Sequence, residues 1–180
     1  VVWGSYLGKG LEDGAQGVAV DSANNVYTAG YTASSSWISG GADVTFGGDV
    51  DGFLVKLNSA GAHVWSTYFG GLNDDRANAV TIDKVGNIYV AGQTMSGGWV
   101  SGGADVTFGG TVDAFLVKLS AAGVHLWSTY MGTNSHDAAH GVAVDSTNSV
   151  YVVGRTDSLG WVSGGYDTAL TGGRDGFLVK

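Results

Sequence analysis

The chain has 180 residues, of which 44% are hydrophobic, and this fraction is too high for an intrinsically disordered protein. Its formal net charge of −8 gives no basic footprint for binding nucleic acid, and an anionic membrane surface would repel it. Cysteine is absent, which excludes disulfide bonds, and no apolar run reaches the ~20 residues that span a bilayer, so we expect no membrane insertion.

A unit of 62 residues is written three times without insertion or deletion. Trp3, Trp65 and Trp127 follow each other at this spacing, and so do many tyrosines, aspartates and phenylalanines. We divide the chain into repeat 1 (residues 1–62), repeat 2 (63–124) and repeat 3 (125–180), the last of which stops within a predicted strand. Repeated units indicate a modular array, so the architecture has to be understood before any site.

The predicted strands, in chain order, begin with an isolated copy of a strand that we name D, at Val2–Leu7. Strand A follows at Gly17–Asp21 and strand B at Val26–Tyr31, with a tight turn between them. A connection of about twenty residues, rich in glycine and serine, leads to strand C at Phe53–Asn58, and a second turn leads to strand D at Val64–Phe69. Each prediction rests on β-branched and aromatic content bounded by glycine-containing turns.

Repeat 2 follows the same order, with a polar loop at Leu72–Asn78 and strands at Ala79–Asp83, Ile88–Gly92 and Ala114–Leu119. No segment shows the spacing of an amphipathic helix, so we predict an all-β protein. Several strands are apolar on both faces, which indicates sheets that are covered on both sides. Four-stranded antiparallel sheets stacked around an axis form a β-propeller, and a flat β-solenoid is the alternative.

Three motifs carry a resemblance to a known family: Asp83–Thr94 (DKVGNIYVAGQT), Asp113–Leu119 (DAFLVKL) and Trp127–Gly132 (WSTYMG). Together they resemble the bacterial and archaeal beta-propeller repeat (SBBP) family, and the resemblance covers the whole chain. It implies secreted or cell-surface proteins with propeller arrays, and no single enzymatic activity. The family's Phe-Pro in the long connection is missing here. We therefore expect an extracellular location, although no signal peptide is visible in these residues.

The order of the strands predicts self-assembly. The chain starts with a lone D strand, and its third sheet would lack one. Since propellers typically have 4–8 blades, two chains would together form a closed ring of six, each donating its D strand to the other. We therefore expect a homodimer, and the alternative is a fragment of a longer propeller or an open polymer whose edges need another cap.

Two sets of equivalent residues are candidates for ligand binding. Asp13, Asp75 and Asp137 could form a ring of carboxylates that holds calcium, or each could cap its own loop. Trp37, Trp99 and Trp161 lie in the long B–C connections, which are expected to share one face with the D–A loops. These indoles could stack on sugars, or they could fill gaps between blades. We favour the structural role in both cases.

The pattern gives little support for catalysis. His136, Asp137 and His140 form a cluster peculiar to repeat 3, but they lack the helical spacing that would place two histidines on one metal ion. No nucleophile is paired with a base in a known motif. We therefore predict a non-enzymatic scaffold or interaction module without a cofactor. The alternative is an extracellular lectin-like or calcium-dependent propeller that binds a carbohydrate or protein through the B–C loop face.

Overall fold

The computed structural model describes residues 2–180, and in that range it contains strands but no helix. The described residues accordingly include no helix long and apolar enough to cross a membrane. The strands are β1 (Asp13–Val20), β2 (Val26–Thr32), β3 (Asp51–Leu57), β4 (His63–Phe69), β5 (Asp75–Ile82), β6 (Ile88–Thr94), β7 (Asp113–Leu119), β8 (His125–Met131), β9 (Asp137–Val144), β10 (Val150–Thr156) and β11 (Asp175–Val179).

The strands form three antiparallel sheets in chain order, which we name blades. Blade 1 contains β1 to β4, blade 2 contains β5 to β8, and blade 3 contains β9 to β11. The prediction of an all-β fold with four-stranded antiparallel blades is confirmed for the first two sheets, and the third has three strands. Blade 1 packs on blade 2 and blade 2 on blade 3 through β1, β5 and β9, and the three sheets do not close into a ring.

The first strand of each blade, β1, β5 or β9, which we call the inner strand, starts four residues before its predicted position. In blade 1 it starts at Asp13, which pairs with Thr32, rather than at Gly17. The register shifts between Ala15 and Gly17, so Gln16 forms a bulge. The bulge interrupts the alternation of apolar and polar residues, which is why the first half was predicted as a polar loop. The same error affects residues 75–78 of blade 2.

The isolated D strand predicted at Val2–Leu7 does not form. Residues 2–7 belong to no sheet in the structure. A strand needs a neighbouring strand for its backbone hydrogen bonds, and within the described residues none lies beside this segment. We call residues 2–7 the N-terminal segment.

The long B–C connection follows a path that the sequence did not predict. Instead of projecting freely, it runs along the outer edge of its own blade. The N–H of Ser66 in β4 donates to the carbonyl of Ser39 (2.8 Å), and that of Tyr68 donates to Asp43 (2.9 Å). The corresponding residues of blade 2 make the same contacts with β8. The connection therefore occupies the edge that would otherwise expose unpaired backbone groups.

The hydrophobic core lies mainly between the blades. One buried cluster joins blades 1 and 2 and includes Leu54, Trp65, Val80 and Phe115. A second joins blades 2 and 3. Each blade thus needs a neighbour on both faces to bury its apolar side chains, as in other stacked-repeat proteins.

Candidate assembly interface

An aspartate begins the inner strand of each blade, and it is buried in blades 2 and 3 and partly buried in blade 1. Asp75 is fully buried, and its carboxylate accepts hydrogen bonds from the Gly71 N–H (2.8 Å), the Ser96 hydroxyl (2.9 Å) and a threonine hydroxyl. Asp13 and Asp137 make equivalent contacts. These carboxylates hold the loop that enters each blade. Among the described residues no group of three His, Cys, Asp or Glu side chains could hold a metal ion, and calcium binding stays a prediction.

The candidate tryptophans make repeated packing contacts. The Trp99 indole N–H donates to the Thr94 hydroxyl at 3.1 Å, and its ring meets the edge of Phe115 at a centroid distance of 5.1 Å. Trp37 and Trp161 are held in the same way by their own blades. Each ring is partly buried, and its N–H is already bonded. Stacking of a sugar on the remaining exposed area stays a prediction.

The cluster peculiar to repeat 3 contains a histidine–arginine contact. Nε2 of His136 lies 2.9 Å from a terminal nitrogen of Arg155. Burial and the positive charge of Arg155 lower the pKa of His136. A neutral His136 accepts a hydrogen bond from the guanidinium, and His140 is exposed further along β9. The neighbouring guanidinium would repel a metal cation at this site.

Blade 3 has an open groove where blades 1 and 2 hold their fourth strand. A cavity of about 370 Å³ lies between β11 and the B–C connection of repeat 3, and its lining includes Ser158, Val162, Leu170 and Phe177. In blades 1 and 2 the space between strand C and this connection is filled by β4 and β8. We call the cavity of blade 3 the edge groove.

The partners of a fourth strand can be identified from the complete blades. In blade 1, Ser66 and Tyr68 donate their N–H groups to the B–C connection, and the Tyr68 hydroxyl donates to the carbonyl of Ser34 (3.1 Å). The 62-residue spacing transfers these three acceptors to repeat 3, where the same residue types recur. They are the carbonyls of Ser163, Asp167 and Ser158.

The N-terminal segment already occupies the position of a D strand relative to blade 1. Its Trp3 ring covers Gly61, where an added Cβ would lie 2.9 Å from the ring. Trp65 of β4 has the same relation to Gly123 of blade 2, also at 2.9 Å. Leu7 packs against a core cluster of blade 1. The segment is thus placed as if it came from a blade preceding blade 1.

One side chain of this segment is conspicuously unburied. Tyr6 is 104% exposed, whereas its counterparts Tyr68 and Tyr130 are each 2% exposed. In blade 1, Tyr68 lies opposite Phe53 of β3 and packs in the buried cluster that contains Phe53 and Val55. Tyr6 therefore stands at a position that is buried in the complete blades, but its own side chain is exposed.

Apolar side chains are also exposed on the two outermost sheet faces. We call the face of blade 1 that points away from blade 2 the first face. On it, Val18 is 67% exposed, whereas its counterpart Val80 is 8% exposed. On the opposite side of blade 3, the last face, Leu178 is 66% exposed and its counterpart Leu54 is fully buried. Leu54 and Val80 meet in the cluster between blades 1 and 2. The last face and the first face thus carry the same kinds of residues as the two sheet faces that pack together between blades 1 and 2.

A pair of buried carboxylates lies at each junction between blades. Asp51 is 1% exposed, and burial together with the negative charge of Asp75 raises its pKa to about 6. The pKa of Asp113 is likewise raised to about 6 by burial and by Asp137. Sequence reasoning missed the first member of each pair. The signal was its recurrence shortly after Gly-Gly, at the entrance of strand C in every repeat.

Comparison with known proteins gives two findings. The profile of a family described as "Beta-propeller repeat" (SBBP) matches residues 2–36, 64–98 and 126–160, which together are more than half of the chain. The chain is also similar to an uncharacterized WD repeat-containing protein of Acanthamoeba polyphaga mimivirus, with 29% identity over 113 residues. That match covers 59% of this chain but only 8% of the viral protein.

Proposed function

Because the chain belongs to the beta-propeller repeat family, we propose that it is a non-enzymatic propeller module that assembles with a second copy of itself by exchanging strands. The N-terminal segment of each copy fills the edge groove of the other. The observation that carries this proposal is the coexistence of a D-type segment without a sheet and a sheet with a vacant D position. An extracellular location, implied by the family resemblance, is part of the same proposal.

The sequence of the segment suits the groove. Residues 2–7 read VWGSYL, and the equivalent strands read VWSTYF in β4 and LWSTYM in β8. Backbone N–H groups of Gly4 and Tyr6 would donate to the carbonyls of Ser163 and Asp167, as their counterparts do in blade 1. The Tyr6 hydroxyl would reach the carbonyl of Ser158. Main-chain bonds supply affinity in such strand additions, and side-chain pockets supply specificity.

A second copy is a better donor than the same chain. Trp3 and Leu7 fix the N-terminal segment to blade 1. The blade packing runs through β1, β5 and β9 without returning to its start, so blade 3 is at the other end of the array. When the segment stays on blade 1, it enters the groove of a second molecule and brings the last face of that molecule against the first face. Two such contacts give a two-fold ring of six blades, within the typical range of 4–8.

The test is the change Tyr6→Ala. A buried aromatic residue covers roughly 150–250 Å² at about 25 cal/mol per Å², so its loss should weaken dimerisation at least about 100-fold. We would measure mass against concentration by sedimentation equilibrium, expecting about twice 18.3 kDa for the unmodified chain at micromolar concentration. Leu72→Ala is the matched control, because Leu72 is 80% exposed and lies in a loop away from both the segment and the groove.

Two results would contradict the proposal. An unmodified chain that sediments only as a monomer at micromolar concentration has no strand exchange. A dimer whose dissociation constant is the same for the unmodified chain and for the Tyr6→Ala variant would have to form through another surface. Hydrogen exchange adds a second readout, because the backbone of β11 should be protected in the dimer and unprotected in the Tyr6→Ala variant.

A further inference from the structure

The junction between blades 1 and 2 shows which side chains face each other across a blade interface. The guanidinium of Arg76 in β5 lies 4.5 Å from the centroid of the Tyr31 ring in β2. Arg76 also lies 3.7 Å from the Asp74 carboxylate, just before β5. Position 31 of one blade therefore meets position 76 of the next, and the carboxylate at position 74 lies beside that contact through Arg76.

The same positions carry complementary charges on the two terminal faces. On the last face, the counterpart of Tyr31 is Arg155 in β10. The counterpart of Asp74 is Glu12, an exposed residue just before β1 whose carboxylate accepts the hydroxyl of Tyr31 in its own blade at 3.1 Å. At the junction of blades 2 and 3 the position holds the neutral Gln93. At this position an arginine thus stands only in blade 3, whose last face has no neighbouring sheet.

Arg155 has no carboxylate partner among the described residues. One of its terminal nitrogens contacts His136, and its Nε is buried without any hydrogen-bond partner. Neither of the salt bridges found between residues 2 and 180 involves Arg155. A buried guanidinium nitrogen without an acceptor is costly, and such a group is normally paired.

A second arginine stands on the same edge of blade 3. Arg174 takes the position of Val50 and Val112 in the complete blades. Its guanidinium is held by both oxygens of Asp157, at 2.7 and 2.8 Å. The carbonyl of Val50 accepts the N–H of Asp75 from the next blade at 2.7 Å, so the counterpart of that contact would join Arg174 to Asp13. That contact is made by the backbone, and the Arg174 guanidinium is already paired with Asp157, so Arg155 carries the guanidinium that is left without a carboxylate near the entrance of β1.

We propose that the contact between copies is directed by charge, with Arg155 of one copy bonded to Glu12 of the second copy. This inference rests on the proposed assembly and specifies its pairing. Last face against first face brings opposite charges together. First face against first face would oppose Glu12 and Asp13 with themselves, and last against last would oppose the arginines. Like charges in apposition suppress wrong partners, and complementary ones accelerate association. The apolar areas around Val18 and Leu178 supply the remaining contact.

The experiment is a charge exchange within one chain. Glu12→Lys and Arg155→Glu each create a repulsive pair at both contacts of the ring and should weaken dimerisation at least about 10-fold. The double variant Glu12→Lys/Arg155→Glu restores opposite charges at both contacts and should recover the original dissociation constant to within about 3-fold. Asp49→Lys, an exposed residue of the B–C connection, makes the same change in net charge as Glu12→Lys and is the control.

Salt supplies an independent readout. Raising the ionic strength from about 50 mM to about 500 mM shortens the screening length, so it should weaken the unmodified dimer and strengthen each single variant. Equal weakening by both single variants without recovery in the double variant would overturn the pairing. If that occurs while Tyr6→Ala still dissociates the dimer, strand exchange stands and only the charge pairing fails. If the unmodified chain is monomeric, both the strand exchange and the charge pairing are wrong.

Discussion

Replacing Asp51 by asparagine is expected to stabilise the protein at neutral pH and to change little in mild acid. Asp51 begins β3 and is 1% exposed. Its Oδ2 accepts the N–H of Gly47 at 2.8 Å, whereas its Oδ1 has no hydrogen-bond partner. The buried carboxylate of Asp75 lies in the same junction, and two negative charges there repel each other.

The magnitude follows from the pKa. Burial and the charge of Asp75 raise the pKa of Asp51 from 3.8 to about 6. Since one pKa unit corresponds to about 1.4 kcal/mol, ionised Asp51 lowers the free energy of unfolding by up to about 3 kcal/mol. The protonated form is favoured in the folded state, so this stability is fully present below pH 3.8 and is lost as the pH rises through about 6.

Asparagine keeps the acceptor for Gly47 and replaces the unpartnered oxygen by a neutral donor. We expect Asp51→Asn to raise the free energy of unfolding by about 1–3 kcal/mol at about pH 7.5, and by less than about 0.5 kcal/mol at about pH 4. The assay is urea denaturation followed by tryptophan fluorescence at both pH values and at one protein concentration.

Asp83→Asn provides a control of opposite sign. Although burial opposes it, hydrogen bonds from the side chain and backbone of Asn87 lower the pKa of Asp83, so its carboxylate stabilises the fold at neutral pH. This variant should therefore lose stability at about pH 7.5. A gain for Asp51→Asn that is equal at both pH values, or a loss at about pH 7.5, would refute the reasoning.

Two further predictions concern packing. Trp99→Ala should lower the free energy of unfolding by about 3 kcal/mol, because it removes the contact with Phe115 and the bond to Thr94; a folded variant of unchanged melting temperature would show that the ring has another role. Gly61→Ala and Gly123→Ala both strain a backbone with φ near +80° and displace a tryptophan ring. Gly61 faces Trp3 and Gly123 faces Trp65, so Gly61→Ala should mainly weaken the proposed dimer, at least about 10-fold, and Gly123→Ala should mainly lower the melting temperature. Sedimentation measures the first effect and calorimetry the second. Equal behaviour of the two variants would contradict the placement of the N-terminal segment.

The blades could be predicted because their signals are local and are repeated three times. Strands B and C have dense β-branched and aromatic content, so β2 starts at Val26 as predicted and β7 ends at Leu119 as predicted. The inner strands begin with polar residues and contain a bulge, which hides them from any rule based on alternation. The N-terminal segment has the composition of a strand, but whether it forms one depends on a neighbour that the sequence pattern does not supply.

Only part of the candidate site could be predicted from the sequence. The missing D strand of repeat 3 could be read from the spacing, and the structure shows the groove that corresponds to it. The path of the B–C connection along β4 depends on long-range backbone bonds such as Ser66 to Ser39, for which glycine-rich sequence gives no periodic signal. The burial of Asp51 was equally hidden, because aspartate is rarely buried and its environment comes from another blade.

In blades 1 and 2 the B–C connection covers the outer strand of its own sheet, and this affects how repeats can be added to such a chain. A complete unit carries its own edge protection, so inserting another 62-residue unit by duplication adds a blade without adding an unprotected outer strand. The outer edge thus stays protected at any number of units, whereas the two terminal faces stay apolar until a neighbouring blade covers them. The uninterrupted 62-residue register of the three copies is compatible with growth by whole units.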